Sequence, residues 1–365
     1  MFTMSRAIAT VGLVSIVLLN SATPSMAGRY RTPSPEQSLF YEDLKSGKRA
    51  STKKILPPAQ RKALETAPTS ATSSAGTASA TTVAPAAAAT ASPSTAFYFS
   101  AHADDFVLFM NPYRDASRND TKAVFVFLTA GDAGLGKGPT GAPYYAAREN
   151  GALRAVRFLA DAASDTTPSP STDRPRISGH DLRRWTYKNT VVYFLRLPDG
   201  AVEGVGYPLH NGASLMKLKT GEISTIRAID GSTTYRSWTD LVNTLSEIVR
   251  IEAAGSPNVW LDVHENDTAA SPGDHSDHLA TGYAVAAVQP KLPCVNLAFH
   301  TGYATSGLVN LDLDDIENRA AAYGNYVSGL AEKGYPGVAW EPGHKSWLAG
   351  MINRLVNGNG SSCSF

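Results

Sequence analysis

AFYFSAHADD, residues 96–105, is the stretch that decides the fold class of this chain. Its first five residues carry no charge and include three aromatic rings, which is typical of a parallel strand buried on both faces. Its last five residues include a histidine and two aspartates. A polar turn directly after a buried strand predicts a ligand site at the carboxyl end of a parallel sheet.

Similar segments recur along the chain. Apolar runs at 123–128, 190–195 and 258–263 indicate three more buried strands, and helices are predicted over 144–163 and 238–252. Strands that alternate with helices predict an α/β fold with a mostly parallel sheet and helices on both of its faces.

Polar residues follow each of these strands. Asp132 comes after the second strand, Asp199 after the third, and the segment 264–278 after the fourth. Because the carboxyl ends of parallel strands meet at one edge of the sheet, we expect these residues to converge with residues 102–105.

The first residues of the chain have the pattern of a secretory signal peptide. Arg6 precedes an apolar run at 7–19, and small residues occupy the positions before a cleavage point after Ala27. The alternative is an uncleaved membrane anchor, but the run is shorter than the roughly 20 residues that a spanning helix needs. We therefore expect a secreted or periplasmic protein with no membrane span in its mature form.

Composition divides the rest of the chain. The segment after the signal peptide is basic and contains prolines, and a stretch of Ala, Thr, Ser and Pro follows it, whose composition predicts disorder. The predicted regions are a signal peptide at 1–27, an N-terminal arm at 28–65, a linker at 66–95, a folded domain at 96–357 and a tail at 358–365.

Charge and cysteine content limit the function classes. Lys+Arg number 33 and Asp+Glu 32, a net charge of +1, so no basic excess indicates a nucleic-acid partner. The glycine-rich loop 131–141 lacks the spacing of a phosphate-binding loop. Cys294 and Cys363 are too few and too far apart for a thiolate metal site, but in an oxidising compartment they can form a disulfide that ties down the tail.

The turn at 102–105 places one imidazole and two carboxylates together. Asp104 and Asp105 repel each other unless a cation neutralises them, which favours a metal site. The alternative is that one aspartate caps the following helix while its neighbour is solvated.

A second cluster, HSDH at 275–278, lies in a loop rich in Asp, Gly and Ser. Two imidazoles within four loop residues are more often metal ligands or a catalytic pair than core packing. Together with the first cluster, two histidines and one aspartate can fill three positions of a tetrahedral zinc site and leave the fourth for water.

These residues resemble the motifs of the PIG-L/LmbE-like zinc deacetylases, which remove acetyl groups from N-acetylglucosamine-containing substrates on a Rossmann-like fold. The family's A-H-P-D-D-E motif is AHADDF here, at 101–106, and its H-P-D-H motif is HSDH at 275–278. The resemblance covers about residues 97–279. Supporting matches are TAGD at 129–132, RE at 148–149 and LPDG at 197–200.

The resemblance implies a metal-dependent N-deacetylase with Zn²⁺ as its cofactor. It implies three zinc ligands: His102, Asp105 and His278.

The resemblance also implies roles for the remaining polar residues. Asp104 would be the general base for the attacking water, and His275 the general acid that protonates the leaving amine or stabilises the oxyanion. Asp277 would orient His275. Arg148 and Asp199 look like substrate-binding positions for sugar hydroxyls or an anionic group.

Two residues depart from the family pattern. Ala103 replaces proline, which softens the turn without removing a functional group, and Phe106 replaces glutamate, which removes a carboxylate beside the metal motif. No proposed ligand, base or acid is lost, so we expect a working enzyme.

Three other groups of residues have two interpretations each. His264 is either a residue that supports the metal ligands or a hydrogen-bonded structural histidine, and His300 either lines the pocket or packs among aromatic rings. The aspartates at 312–315 form either an acidic patch or the cap and first turn of a helix over 311–330.

The sequence thus predicts a secreted zinc-dependent hydrolase that removes an N-acetyl group from an amino sugar, glycoconjugate or polysaccharide. One alternative is a non-catalytic carbohydrate-binding relative with a drifted metal site. Another is a metal hydrolase that acts on a different bond, such as a phosphoester.

Overall fold

An eight-stranded sheet forms the centre of the protein. The computed structural model describes residues 92–335 and 342–365. The chain divides into two units, Met1–Ala80 and Thr81–Phe365, and all described residues belong to the second. The signal peptide and arm predicted at 1–65, and the linker up to residue 91, lie outside the described residues.

The strands and helices follow one another in mixed order along the chain. The strands are β1 (Ser94–Ser100), β2 (Thr121–Thr129), β3 (Ser171–Asp173), β4 (Arg176–Ile177), β5 (His180–Asp181), β6 (Arg183–Tyr187), β7 (Thr190–Leu197), β8 (Ile226–Arg227), β9 (Thr234–Tyr235), β10 (Asn258–His264), β11 (Asn296–His300) and β12 (Asn353–Val356). The α-helices are α1 (Tyr113–Ala116), α2 (Tyr144–Asp161), α3 (Leu215–Thr220), α4 (Trp238–Glu252), α5 (Ser276–Ala286), α6 (Leu313–Glu332) and α7 (Pro342–Ser346), and a π-helical turn spans Phe106–Met110.

The order of strands in the main sheet is β12-β11-β10-β1-β2-β7-β6-β3. The central strands β11, β10, β1, β2 and β7 are parallel, and the flanking strands β12, β6 and β3 pair antiparallel. From β1 the chain first builds outward to β2 and β7, and later returns to place β10 on the other side of β1. This reversal between β1 and β10 opens a crevice at the carboxyl ends of the strands, where α/β sheets bind ligands.

Side chains alternate between the two faces of each strand, so the sheet has one hydrophobic core on each face. In β1, Phe97 and Phe99 face the layer of α4 and α5, whereas Tyr98 faces the layer of α2 and α6. Because both faces are covered, the central strands are almost continuously apolar, which is the pattern that residues 96–100 predict.

Side chains at the helix starts fix where the helices begin. The Ser237 hydroxyl accepts a hydrogen bond from the backbone N–H of Asp240 at the start of α4, and the Asp312 carboxylate accepts from Asp315 at the start of α6. The aspartates at 312–315 are therefore the cap and first turn of a helix, which is the second of their two interpretations.

Helices α2 and α6 cross where two glycines meet. A Cβ on Gly151 would lie 2.7 Å from the carbonyl oxygen of Tyr326, and a Cβ on Gly329 would lie 2.6 Å from the Cα of Gly151. The close crossing brings Arg148 of α2 within hydrogen-bonding distance of Tyr326 of α6, at 2.9 Å.

The expected fold class is confirmed: the sheet is mostly parallel and has helices on both faces. The helix predicted over 238–252 has those bounds, and the strands predicted at 123–128 and 190–195 extend by one or two residues at one or both ends. The parallel strand β11, the antiparallel strands β3, β6 and β12 and the ribbons β4–β5 and β8–β9 were not predicted, because short strands carry little periodic signal.

The C-terminal tail is attached to the domain. Cys363 is buried and forms a disulfide with Cys294, which lies just before β11. No helix in residues 92–335 and 342–365 combines the length and apolar character that a membrane crossing requires.

Candidate metal and active site

One cavity of about 390 Å³ is lined by most of the predicted site residues, while Asp277 and His278 lie outside its lining. The turn after β1, the loop after β7 and the segment after β10 contribute polar groups to its wall, as the convergence of strand ends predicts. Asp132, in the loop after β2, is outside the lining, and its carboxylate lies 2.7 Å from Nε2 of His210. The histidine, aspartate and arginine side chains in the lining are His102, Asp104, Asp105, Arg148, Asp199, His275 and His344.

The turn after β1 is organised around the Asp105 carboxylate. Its Oδ2 accepts a hydrogen bond from the backbone N–H of His102 at 2.6 Å and lies 3.0 Å from Nε2 of His264. Asp105 occupies the N-cap position of the π-helical turn, but its side chain makes no capping hydrogen bond. Both Asp104 and Asp105 are buried, so the alternative of a capping aspartate with a solvated neighbour is wrong.

His102, Asp105 and His278 form what we call the first donor group. Their donor atoms lie within 4.8 Å of one another, and all three side chains are buried. Nδ1 of His102 is 3.5 Å from Oδ2 of Asp105, and Nε2 of His278 is 3.3 Å from Oδ1. Bonds of about 2.0–2.2 Å to a tetrahedral zinc ion place its donors roughly 3.3–3.6 Å apart, so the group fits zinc.

Asp274 fixes the orientation of His278, and sequence reasoning missed it. Its Oδ1 lies 2.8 Å from Nδ1 of His278, and its Oδ2 accepts a hydrogen bond from the Ser271 hydroxyl at 2.6 Å. With Nδ1 held by Asp274, His278 turns its Nε2 toward the first donor group, and that buried Nε2 has no hydrogen-bond partner among the described residues. A carboxylate behind a histidine ligand is the arrangement usual at metal sites.

Opposite electrostatic effects act on His278 and Asp274. Burial alone would lower the pKa of His278, but the carboxylates of Asp105 and Asp274 raise it to about 9. Burial opposes ionisation of Asp274 as well, yet the neighbouring imidazole of His278 holds its pKa below the usual range. The carboxylates of Asp105 and Asp274 therefore favour a positive charge beside them, which is the charge that a bound cation would supply.

His264 packs directly behind the first donor group. Its ring stacks on that of His278 with centroids 3.9 Å apart and an interplanar angle of 7°. Burial and the charge of His278 lower the pKa of His264 to about 4, so the ring is neutral. Of the two interpretations of His264, the structure supports the first, because its ring contacts both Asp105 and His278.

Asp104 faces the cavity beside the first donor group. Its Oδ1 accepts a hydrogen bond from Nη2 of Arg148, and its Oδ2 lies 3.7 Å from Nε2 of His344. Arg148 also donates to the carbonyl of Gly131 at 2.8 Å and to the hydroxyl of Tyr326 at 2.9 Å. Arg148, expected to bind substrate, thus directs its donors to the protein and holds Asp104 in place.

His344 and its neighbours on the C-terminal side of the cavity were also missed. Trp347 stacks on Tyr303 with centroids 4.9 Å apart at 12°, and Phe109 lies 5.5 Å from the Trp347 ring. These rings and His344 line the cavity. The stretch around His344 contains a single histidine without a motif, so the sequence carried no signal that would find it.

Asp199, His275 and Asp277, together with His102, form a second donor group. Their donor atoms also lie within 4.8 Å of one another, and all four side chains are buried. Nε2 of His102 is 3.4 Å from Oδ2 of Asp277 and 3.9 Å from Oδ2 of Asp199. His102 therefore belongs to both groups, with one ring nitrogen facing each.

The contact that orients His275 differs from the expected one. His275 is the N-cap of α5, and its Nδ1 accepts a hydrogen bond from the backbone N–H of Asp277 at 3.1 Å. The Asp277 carboxylate is 3.9 Å from that nitrogen and accepts instead from the N–H of Gly200 at 2.8 Å. The capping geometry turns His275 toward its own helix, so the backbone of Asp277, rather than its carboxylate, holds the ring.

His275 is neutral in these surroundings. Burial, together with the positive charges of His102 and His278, lowers its pKa to about 2. Because Nδ1 is an acceptor, the single proton of the ring resides on Nε2, which lies 3.9 Å from Oδ1 of Asp199. His275 is thus a hydrogen-bond donor toward the cavity.

Phe106 lies in the core and away from the donor groups. It is fully buried and packs against Phe125 and Phe127, with ring centroids 5.2 and 5.5 Å away. The replacement of the family's glutamate therefore changes the packing under the turn. His300 bonds to Asp262 at 2.8 Å and is a buried structural histidine, the second of its two interpretations.

The sequence matches no family model, and no curated protein matches it. Solved structures with a similar backbone include N,N'-diacetylchitobiose deacetylase from Pyrococcus horikoshii, at 13% identity over 72% of this chain and 84% of that chain, with a TM-score of 0.42. A deacetylase of the teicoplanin biosynthetic pathway is 12% identical over 73% of this chain and 100% of its own, with a TM-score of 0.38.

GalB, the 4-carboxy-2-hydroxymuconate hydratase from Pseudomonas putida KT2440, is 13% identical over 74% of this chain and 100% of its own, with a TM-score of 0.38. Similarity at this level does not transfer an activity, since one fold hosts many reactions.

Proposed function

We propose that this protein is a zinc-dependent hydrolase that removes an N-acetyl group from an amino sugar, glycoconjugate or polysaccharide. The observation that carries the proposal is the first donor group. It offers two imidazoles and one carboxylate at zinc-like spacing, with the Asp104 carboxylate beside it in the same cavity. Three protein ligands leave a fourth position open, which distinguishes catalytic from structural zinc sites.

His102, Asp105 and His278 would hold the ion. A zinc ion there would supply Lewis acidity, which activates water and polarises an amide carbonyl. Asp274 and His264 support this arrangement, because they fix the ring of His278 and the carboxylate of Asp105 from behind.

Asp104 is the base in this proposal. Its Oδ1 is committed to Arg148, which leaves Oδ2 to accept a proton from the attacking water. The same carboxylate can then return that proton to the departing amine, so no second acid is required. His344, 3.7 Å from Oδ2, is placed to stabilise the protonated carboxyl group.

His275 has a narrower role than the sequence implies. A neutral imidazole whose pKa is lowered to about 2 is a poor acid but a good hydrogen-bond donor. Its Nε2–H is therefore suited to stabilise the negative charge that develops on the carbonyl oxygen in the transition state. Of the two roles expected for His275, oxyanion stabilisation is the one that the pKa favours.

The remaining cavity wall suits a sugar. Tyr303 and Trp347 present stacked rings, and Asp199 presents a carboxylate that can accept hydrogen bonds from hydroxyl groups. Flat apolar faces beside carboxylates are complementary to a pyranose ring, which has C–H faces and a hydroxyl edge.

We further propose that the protein acts outside the cytoplasm. The signal-peptide pattern at 1–27 supports this location, and so does the Cys294–Cys363 disulfide, since disulfides persist mainly in oxidising compartments.

The test is release of acetate from chitooligosaccharides by the zinc-loaded protein, with Asp104→Asn as the diagnostic variant. We expect Asp104→Asn to keep its zinc and to lose about 10²–10⁴-fold in turnover, because general bases contribute about that much. Asp120→Asn, an exposed change far from the cavity, is the matched control and keeps full activity.

Three results would contradict this proposal. Zinc loss in Asp104→Asn would mean that the carboxylate is a ligand rather than the base. Tight sugar binding without acetate release would favour a carbohydrate-binding protein, and phosphate release from phosphoesters would favour a different hydrolase.

A further inference from the structure

His102 turns one ring nitrogen toward the first donor group and the other toward Asp277. Its Nδ1 lies 3.5 Å from Oδ2 of Asp105, and its Nε2 lies 3.4 Å from Oδ2 of Asp277. Within residues 92–335 and 342–365, that buried Nε2 has no hydrogen-bond partner, and neither has Oδ1 of Asp277, whose side chain is completely buried. Unsatisfied buried polar atoms are costly, so a donor and an acceptor this close are expected to pair.

Asp277 is a better acceptor for this nitrogen than Asp199, the other carboxylate near it. Oδ2 of Asp199 is farther from Nε2, at 3.9 Å, and already accepts a hydrogen bond from the backbone N–H of Ala133 at 3.2 Å. Its Oδ1 accepts from the N–H of Ala201 at 2.9 Å. Among the described residues, the carboxylate of Asp277 accepts a single hydrogen bond from the backbone, so it has lone pairs left for the imidazole.

A single proton satisfies both sides of the His102 ring. A neutral imidazole carries its proton on one nitrogen and a lone pair on the other. With the proton on Nε2, facing Asp277, the lone pair is on Nδ1, which faces Asp105 and the position of the metal. Histidine ligands of metals commonly donate their second N–H to a carboxylate, which fixes the tautomer and the orientation of the ring.

We propose that Asp277 is the positioning residue of His102: its carboxylate accepts the Nε2–H and thereby holds Nδ1 toward the metal. The inference rests on the proposed function, because it takes the first donor group to be a metal site. It gives His102 the same kind of partner that Asp274 gives His278, with the two ring nitrogens exchanged. It also gives the Asp277 carboxylate a role other than the orientation of His275, whose Nδ1 is 3.9 Å away.

Gly200 is the residue that lets Asp277 take this position. Its backbone N–H donates to Oδ2 of Asp277 at 2.8 Å. A Cβ at position 200 would lie 3.2 Å from Cγ of Asp277, closer still to its Oδ1, and 3.0 Å from Cβ of Ser214. Ser214 is completely buried, and its hydroxyl donates to the carbonyl of Gly204 and caps α3. A side chain at position 200 would therefore displace the Asp277 carboxylate rather than Ser214.

The first measurement is the affinity of the metal-free protein for zinc, determined by competition with a chelator and without substrate. Asp277→Asn is expected to bind zinc about 10–100-fold more weakly, because the loss of such a partner has an effect of that size. Gly200→Ala should also weaken zinc binding, although it removes no charge. Asp199→Asn removes the same charge near the same ring and should weaken binding less than Asp277→Asn. The exposed change Asp120→Asn should match wild type.

The second measurement is the proton NMR spectrum of the protein with isotopically labelled histidine at saturating zinc. The Nε2–H of His102 should give a far-downfield resonance, because a charge-assisted hydrogen bond to a carboxylate deshields the proton. Asp277→Asn should move this resonance upfield and leave that of the Nδ1–H of His278 in place, which a general loss of structure would not do. Near-ultraviolet circular dichroism checks that each variant is folded, and Gly200→Ala replaces Asp277→Asn if the latter is not.

The proposal is overturned if Nε2 of His102 carries no proton in zinc-loaded wild type, or if folded Asp277→Asn binds zinc as tightly as wild type. It is also overturned if Asp199→Asn weakens binding as much as Asp277→Asn, since the charge of the cavity rather than the partner of the ring would then set the affinity. None of these measurements involves turnover. A protein that binds zinc in this way and releases no acetate would therefore contradict only the proposed function.

Discussion

His275 and His278 lie within one turn of the same helix start, yet the groups around their rings shift their pKa values in opposite directions. His278 has a carboxylate on each side, Asp274 at 2.8 Å and Asp105 at 3.3 Å, and its pKa is raised to about 9. His275 has a backbone N–H on its Nδ1, and burial beside two other imidazoles lowers its pKa to about 2.

In the proposed function, this difference makes His278 a metal ligand and His275, three residues earlier, a hydrogen-bond donor. The carboxylate of Asp274 holds Nδ1 of His278 and turns Nε2 toward the first donor group, whereas the Asp277 N–H fixes the proton of His275 on Nε2. The identity of the group on Nδ1 therefore decides the role of each ring.

The largest effect should come from His278→Ala. Removing this imidazole leaves the first donor group with two members, so we expect loss of the ion from that site and loss of turnover beyond about 10³-fold. Metal content and acetate release measured on the same preparation check this result. Full activity in His278→Ala would remove the distinction between the two rings.

His275→Ala should lose turnover but keep its zinc. Turnover should fall by about 10²–10³-fold, because one oxyanion donor contributes about that much, while one equivalent of zinc remains bound at the first site. The measurements are kcat and zinc content after dialysis. A variant with normal kcat would show that this ring has no part in the reaction.

Asp274→Asn tests the partner instead of the ring. The amide can no longer hold the Nδ1 proton of His278 as strongly, so zinc affinity should fall about 10–100-fold. Saturating zinc should restore most of the turnover, which separates this change from His278→Ala. Asp120→Asn is again the control, and unchanged affinity in Asp274→Asn would mean that the 2.8 Å contact does not tune the ligand.

The smallest effect should appear in the pH dependence of unfolding of the metal-free protein. The folded pKa of His278, about 9, is above the unfolded value near 6.5, so its stabilising contribution is present below pH 6.5 and lost as pH rises toward 9. The folded pKa of His275, about 2, is below that value, so its contribution is present above pH 6.5 and lost as pH falls.

Thermal melts between pH 4 and pH 9 check this sign difference. We expect His275→Ala to flatten the acid side of the curve of Tm against pH, and His278→Ala to flatten the alkaline side, each by several degrees. The same side flattening in both variants would contradict the assigned charge states.

Much of the fold follows from residues near one another in the sequence. The uncharged run before His102 marks β1, and the apolar runs at β2, β7 and β10 mark its neighbours, because strands buried on both faces have few polar positions. The antiparallel strands at the edges of the sheet were not found, since β12 is mostly exposed and has no apolar run.

The members of the first donor group were predicted from the resemblance to the deacetylase motifs. His102, Asp105 and His278 occur in two short motifs after predicted strands, and parallel strands place such motifs at one edge. What the motifs do not contain is their surroundings: Asp274 behind His278, Arg148 turned onto Asp104, and Phe106 turned into the core.

The sequence by itself determined the parallel sheet, the edge at which the polar clusters meet and the residue types available for a metal. Only the tertiary structure decided the partners of each ring, brought His344 to Asp104 and gave His102 two donor groups. The reason is that strand periodicity is a local property of the chain. The proton position and charge of a buried imidazole depend instead on which distant groups pack within a few ångströms of it.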